Sequence, residues 1–284
     1  MSLVDTAKRF VLNQMVDGRL RALGKPIYTV VVAQELVAQR ILDTLCGIPP
    51  SCDETLLQHL TAVVKTFERP HMLKRLIAST ERICPSLKIV IADDSRCPSQ
   101  ISGVNVIRLP YDTGISFGRN EALKVVSTKY ALIMDDDFIF YRRTDLTSAL
   151  THMERNPEID IMGGAVVDLP LFKTPDFSKV ALFPTKAEPT RPVGSEIGGF
   201  PVCDMVANFF IGRTDRVAHV GWDPRLKKME HKDFFTRARG ILTTVFNAEL
   251  KCLHARTPFD KAYMMKRNDV DRERKLLRDR YSVR

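Results

Sequence analysis

Two apolar runs of this chain end in acid: IVIADDS places Asp93 and Asp94, and ALIMDDDF places Asp135, Asp136 and Asp137. Adjacent carboxylates repel, so such crowding is tolerated where something positive sits among them. Asp135 and Asp137 stand two apart and, on an extended segment, project to one face. This Asp-x-Asp arrangement suits a hard divalent cation, Mg2+ or Mn2+, which takes one or two carboxylates and completes its shell with water and diphosphate oxygens. The plainer alternative is a solvated turn or an acidic helix cap. Three consecutive acids followed by Phe-Ile-Phe are not turn-like.

A third acidic cluster lies in WDPRLKKMEHKDFFTR. Glu230 and Asp233 are three apart and share a face if the segment is helical, and one of them could take a proton from an attacking hydroxyl. A mixed-charge surface helix would look similar, but Trp222, Phe234 and Phe235 tilt the segment toward burial or a sugar face. His254 follows an apolar run and is read either as a structural hydrogen-bonder or as the nitrogen ligand of a mixed metal site. TGISFGRNEAL adds the anion side: Gly114 and Gly118 let backbone approach closely, and Arg119 falls near a helix N-terminus.

The elements that must position these residues follow from periodicity. From Leu60 onward, short apolar runs alternate with helical patterns, the signature of a mainly parallel sheet covered by helices. Strands are expected at Ala62–Phe67, Lys88–Ala92, Val104–Leu109, Tyr130–Met134 and Ile159–Val167. In such a sheet the carboxyl ends of the strands open on one edge, so the acidic clusters face a common crevice. Pro70 should open a helix, Ser116 should cap Phe117–Ser127, and Thr144 the next. Residues 170–200 are Pro-rich and aperiodic, long enough for a loop over a site. A strand near Val202–Ile211, a short helix from Thr214, a helix near His231–Arg239 and a strand near Thr244–Leu250 complete the series. Before all this, residues 1–23 have helical spacing that stops at Gly24-Lys25-Pro26, with a strand at Tyr28–Val32 and a helix to Leu45. Residues 1–58 read as an N-terminal helical extension, 59–255 as the catalytic domain, and 256–284 as a basic C-terminal helical tail.

Composition bounds the class. The chain has 284 residues, 44% hydrophobic, enough for a sizeable core. No run of about 18 apolar residues encodes a membrane span, and the first twenty residues lack a signal-peptide core. The cytoplasm is favoured; an anchor lost from the N-terminus would put the chain in the Golgi lumen instead. The net charge is +9. Residues 265–284 hold eight Lys or Arg against four Asp or Glu. That tail reads first as a solvated helix and second as an electrostatic footprint on an anionic surface such as a membrane face. Six cysteines form no CxxC pair, and Cys84 and Cys252 are expected as buried thiols.

Taken in order, KTFERPHMLKRLIAS, IVIADDS, TGISFGRNEAL, KYALIMDDDF, IMGGAVVD and WDPRLKKMEHKDFFTR resemble inverting glycosyltransferases of the GT-A fold. Within these they resemble the β-N-acetylgalactosaminyltransferases of the ganglioside-synthase type and their bacterial relatives. The resemblance spans roughly Leu60 to His254 and implies an α/β fold: a Rossmann-like nucleotide-binding sheet, mostly parallel, flanked by helices. It implies that Asp93 and Asp94 contact the nucleoside base, with Arg69 and Arg119 near the nucleotide. Asp135, Asp136 and Asp137 are similar to the DXD motif, the last acid holding the metal and an earlier one touching the ribose. His254 is similar to the C-terminal metal ligand. Many relatives have Glu-Asp where this chain has Glu230-His231, so the base lies among Glu230, His231 and Asp233, with Glu230 favoured.

The implied reaction carries a sugar from a UDP-sugar to a hydroxyl of a carbohydrate or glycoconjugate acceptor, with inversion, using Mn2+ or Mg2+. A nucleotidyltransferase is the first rival, but no Gly-rich phosphate loop with Lys follows Ala62–Phe67. A non-catalytic carbohydrate- or nucleotide-binding protein on the same fold is the second, opposed by intact acids in all three clusters. Nucleic-acid binding is not expected, because the basic residues are not interleaved with aromatics on a strand platform.

Overall fold

The computed structural model describes residues 21–47, 53–177, 180–256, 259–268 and 270–282; the helical spacing expected before Arg21 lies outside them. Helix α1 (Arg21–Cys46) runs straight through Gly24-Lys25-Pro26, and no strand forms at Tyr28–Val32. Packing overrides the punctuation. Tyr28, Val32 and Leu36 recur every four residues and bury one helical stripe against Ile139, Tyr141, Leu169 and Leu253. Asp43 on the same helix is buried and binds Arg82 and the Arg142 amide.

After the short helix α2 (Glu54–Leu57) comes β1 (Leu60–Thr66), buried along its whole length as a central parallel strand must be. Helix α3 (Pro70–Ile83) opens on Pro70 as expected. β2 (Lys88–Asp93) and β3 (Asn105–Arg108) follow, then α4 (Ile115–Lys124), β4 (Tyr130–Asp135) and the two-residue β5 (Phe138–Ile139). Next are α5 (Leu146–Arg155), β6 (Ile161–Asp168), the hairpin β7 (Glu196–Ile197) and β8 (Phe200–Pro201), β9 (Phe210–Arg213) and α6 (Thr214–Val220). The chain finishes with α7 (Glu230–Ala238), β10 (Thr244–His254), α8 (Lys261–Asn268) and α9 (Asp271–Tyr281).

The main sheet has eight strands in the order β3-β2-β1-β4-β9-β6-β10-β5. β9 is antiparallel to both β4 and β6, and β5 to β10; the other pairings are parallel. β1, β2, β3, β4, β6 and β10 therefore all deliver their carboxyl ends to one edge. One apolar layer, with Leu73, Leu76, Phe140 and Phe209, lies on one face of the sheet. A second, with Trp222, Phe234 and Phe235, lies on the other.

Several local expectations are corrected. Gly114, not Ser116, caps α4, because the Ile115 amide donates to the Lys227 carbonyl and starts the helix early. Asp145, not Thr144, caps α5 by accepting from the Ser148 amide; the Thr144 hydroxyl instead links the Tyr141 amide to the Lys251 carbonyl. The strand sought near Val202–Ile211 shrinks to Phe210–Arg213, with Val202 making only a bridge to Val245. β10 continues past Leu250 to His254 because a register shift between Asn247 and Lys251 realigns it with β6. Asn247 caps that bulge through the Glu249 and Leu250 amides. Cys84 and Cys252 are buried, as expected.

Candidate active site

The shared strand edge opens into a cavity of about 290 Å3. Its floor is built from residues at the ends of β1, β4, β6 and β10 and from Asp94 just past β2: Lys65 pairs with Asp135 across β1 and β4, and His254 with Asp168 across β6 and β10.

The acids at this edge are threaded by cations. Arg69, just before α3, donates to Asp137 Oδ2 at 2.9 Å and also binds Asp136. Asp136 takes a further bond from the Thr66 hydroxyl at 2.6 Å. Burial pushes the Asp136 carboxyl above its ordinary range. Burial acts the same way on Asp137, but His254 and Arg69 win and hold it low. Asp135 is the open member: its side chain is 36% exposed, against 1% for Asp136 and 5% for Asp137.

His254 Nε2 lies 3.3 Å from Asp137 Oδ1, and its Nδ1 lies 2.6 Å from Asp168 Oδ1. Burial opposes charge on this imidazole, yet the two carboxylates raise its pKa to about 9. A carboxylate that grips one ring nitrogen aims the other, the arrangement seen behind metal-ligating histidines. Among the described residues no three His, Cys, Asp or Glu side chains gather into a metal-holding cluster. The chain thus offers one carboxylate and one imidazole side by side, with Asp135 two residues away. That donor set fits a hard cation that draws the rest of its shell from a diphosphate and water.

Arg119, fully buried on α4, joins the two halves of the site. One guanidinium nitrogen donates to Asp135 Oδ1 and another to Glu230 Oε1, each at 2.8 Å. Its guanidinium also lies 5.4 Å from the centre of the Trp222 ring. Glu230, first residue of α7, is 2% exposed, and its Oε2 is buried without a hydrogen-bond partner. Burial raises its pKa, against the pull of Arg119. His231 lines the same cavity, but burial and Arg119 push its pKa down to about 3.

Other candidates turn elsewhere. Asp93 accepts from the Ser95 and Ser99 amides at 2.9 and 2.7 Å and does not line the cavity; it ties down the loop after β2. Asp94 does line it, with one oxygen on Lys65 and the other on the Gly114 amide at 2.8 Å. Asp233 is fully buried between Arg237, Arg280 and Tyr281 and lies off the cavity.

Sequence reasoning passes over Lys65 and Asp168, although both carry the signal that found the acids, a charge at the end of an apolar strand. Lys65 is buried against Asp94 and the Thr66 carbonyl, and burial lowers its pKa. Lys266 of α8 lies over Phe67 and Tyr111, and Tyr263 over the Arg69 guanidinium at 4.1 Å.

Residues 61–187 match the family model described as Glycosyl transferase family 2. The chain is 38% identical over 207 residues to human beta-1,4 N-acetylgalactosaminyltransferase 1, covering 69% of this chain and 39% of that protein. It is 34% identical over 202 residues to mouse beta-1,4 N-acetylgalactosaminyltransferase 2, covering 68% and 38%. The chain therefore spans well under half the length of these relatives. The crystal structure of S. aureus TarS 1–349 superposes with a TM-score of 0.53 at 17% identity, covering 69% of this chain and 60% of that one. The same protein in complex with UDP-GlcNAc gives 0.52 at 15%, covering 68% and 57%. With the strand order, the acidic edge and the matched segment all in agreement, the chain carries a family 2 glycosyltransferase domain built on the GT-A fold.

Proposed function

We propose that this chain transfers an N-acetylhexosamine from a UDP-sugar to a hydroxyl of a saccharide acceptor, with inversion and with the help of a divalent cation. The observation that carries the reading is the Arg119 bridge. It sets Glu230, with one carboxylate oxygen uncommitted, on the same cavity as the strand-end acids. The relatives' names supply the N-acetylgalactosaminyl group, and the UDP-GlcNAc complex of TarS supplies the nucleotide class.

In this reading Asp137 and His254 hold Mn2+ or Mg2+, with Asp168 orienting the imidazole. When bound, the cation offsets negative charge on the departing diphosphate. Arg69, Lys65 and Asp94 shape the nucleotide side of the cavity, and the exposed Asp135 faces the ribose. Glu230 Oε2 takes the proton of the acceptor hydroxyl as that oxygen attacks the anomeric carbon from the side opposite the diphosphate. Arg119 keeps the other oxygen occupied, so the carboxylate presents a single basic atom.

The test is Glu230→Gln, assayed with UDP-GalNAc, UDP-GlcNAc and a panel of p-nitrophenyl hexosides. Transfer should fall by roughly 10²- to 10⁴-fold, the usual worth of a general base, while UDP affinity by calorimetry stays within about twofold. Transfer at the wild-type rate would move the base elsewhere.

A further inference from the structure

Three residues that line the cavity each carry a buried side-chain atom with no hydrogen-bond partner: Glu230 Oε2, His231 Nε2 and Asn208 Oδ1. The His231 ring is hydrogen-bonded to the backbone of Val206. With Nε2 unpartnered, that bond belongs to Nδ1, whose N–H donates to the carbonyl. That contact favours the Nδ1–H tautomer, in which Nε2 is an acceptor. Phe177 and Phe235 stand at 5.6 and 5.2 Å, both edge-on to the imidazole, and hold its plane.

These unpaired acceptors welcome a ligand rich in O–H or N–H groups. A buried acceptor left unpaired costs free energy, so a ligand that supplies the missing hydrogen is selected over one that lacks it. In the glycosyl-transfer reading, on which this step rests, Glu230 Oε2 is engaged by the attacking hydroxyl. Two acceptors remain for a neighbouring group of the same or the facing sugar.

We propose that His231 is a specificity-determining residue: its Nε2, seconded by Asn208 Oδ1, receives a non-reacting hydroxyl or amide hydrogen of the bound sugar. The chemistry is that of a saccharide O–H or N–H, whether it sits on the donor sugar or on the acceptor.

The experiment crosses His231→Phe and His231→Gln with ligands that lack one hydrogen-bond donor. These are UDP-hexoses without the acetamido group, deoxyfluoro UDP-sugars, and deoxyfluoro versions of the best acceptor from the hexoside panel. Loss of the contact should cost wild-type kcat/KM about tenfold at one non-reacting position, the worth of a hydrogen bond to a buried acceptor. His231→Phe should show the same loss on the intact sugar and no further loss at that position, while His231→Gln recovers part of it. The position at which the losses fail to add identifies the sugar, donor or acceptor. UDP affinity should be equal in all three proteins. Losses in His231→Phe that are uniform across every analogue would overturn the proposal and leave His231 a packing residue. A wild-type chain that binds no UDP would instead overturn the glycosyl-transfer reading, and this inference with it.

Discussion

Chemistry at the residue scale turns on which oxygen is uncommitted. Glu230 and Asp233 lie one turn apart on α7, and spacing alone makes them equal candidates. The structure separates them by partners: Glu230 Oε2 is bare, whereas both oxygens of Asp233 are engaged, by Arg237 at 2.8 Å, Arg280 at 2.5 Å and Tyr281 at 2.8 Å. Arg280 and Tyr281 come from α9, so no local pattern could have shown their claim on Asp233. Asp233→Asn should therefore act on stability. Breaking one partner of a buried ionic network costs about 3–5 kcal/mol, read as a lowered denaturation midpoint, while transfer well below that midpoint changes less than about threefold. A collapse of turnover in a protein of unchanged stability would return Asp233 to the chemistry. A pH profile addresses Glu230. A general base is inactive when protonated, and burial raises its pKa. The rate should thus rise with pH through an apparent pKa above the ordinary glutamate value, and Glu230→Gln should flatten that limb. A wild-type profile with no such limb would speak against Glu230.

Among elements, the strand is the unit that made the site legible. An apolar run that ends in charge gave Asp93, Asp94 and the Asp135–Asp137 triplet, and a parallel sheet sends all such ends to one edge. The rule was applied to clustered acids only, so Lys65 escaped it by its sign and Asp168 by standing alone at the end of its strand. It also cannot tell a wall from a support: Asp93 ends its strand among the others yet serves the loop from Ser95 to Ser99. Helix α4 depends on a close approach that its sequence did suggest. A Cβ on Gly118 would stand 2.6 Å from Lys65 Cγ, at the stem of the side chain that holds Asp94. Gly118→Ala should cost about 1–3 kcal/mol of stability through overpacking and weaken UDP binding. Lys65→Ala removes the obstacle, so adding Gly118→Ala to it should cost far less. Strictly additive losses in denaturant titrations of the four proteins would show that the two residues do not press on one another.

For the molecule as a whole, the two ends of the chain behave unlike a plain extension and a solvated tail. α1 buries Tyr28 and Val32 against the β5 and β10 region, and Asp43 binds Arg82 of α3. At the other end, Glu273 of α9 accepts from the Lys228 and Met229 amides at 3.0 and 2.9 Å, holding the turn that precedes Glu230. Arg280 and Tyr281 bind Asp233, and the Tyr281 ring stacks on Phe183 at 4.5 Å. Charge counting saw the exposed Arg272, Arg274, Lys275 and Arg278, but not that Glu273 and Leu277 are buried on the opposite side. Anchored in this way, the segment carries Tyr263 onto the guanidinium that binds Asp136 and Asp137, and Lys266 over Phe67 and Tyr111. The cavity rim is thus completed by residues nearly two hundred positions after Arg69 in sequence. If that rim bounds the nucleotide, Tyr263→Ala should raise the Kd for UDP by about 2- to 10-fold, the range of one cation–π contact. Tyr263→Phe keeps the stacked ring and should stay within about twofold of wild type. Arg280→Ala, remote from the cavity, tests whether the two helices act together: a weaker effect of the same sign on UDP affinity is expected as α9 loosens. Calorimetry with Mn2+ reads all three. UDP affinity unchanged in Tyr263→Ala would mean that α8 borders the cavity without touching the nucleotide.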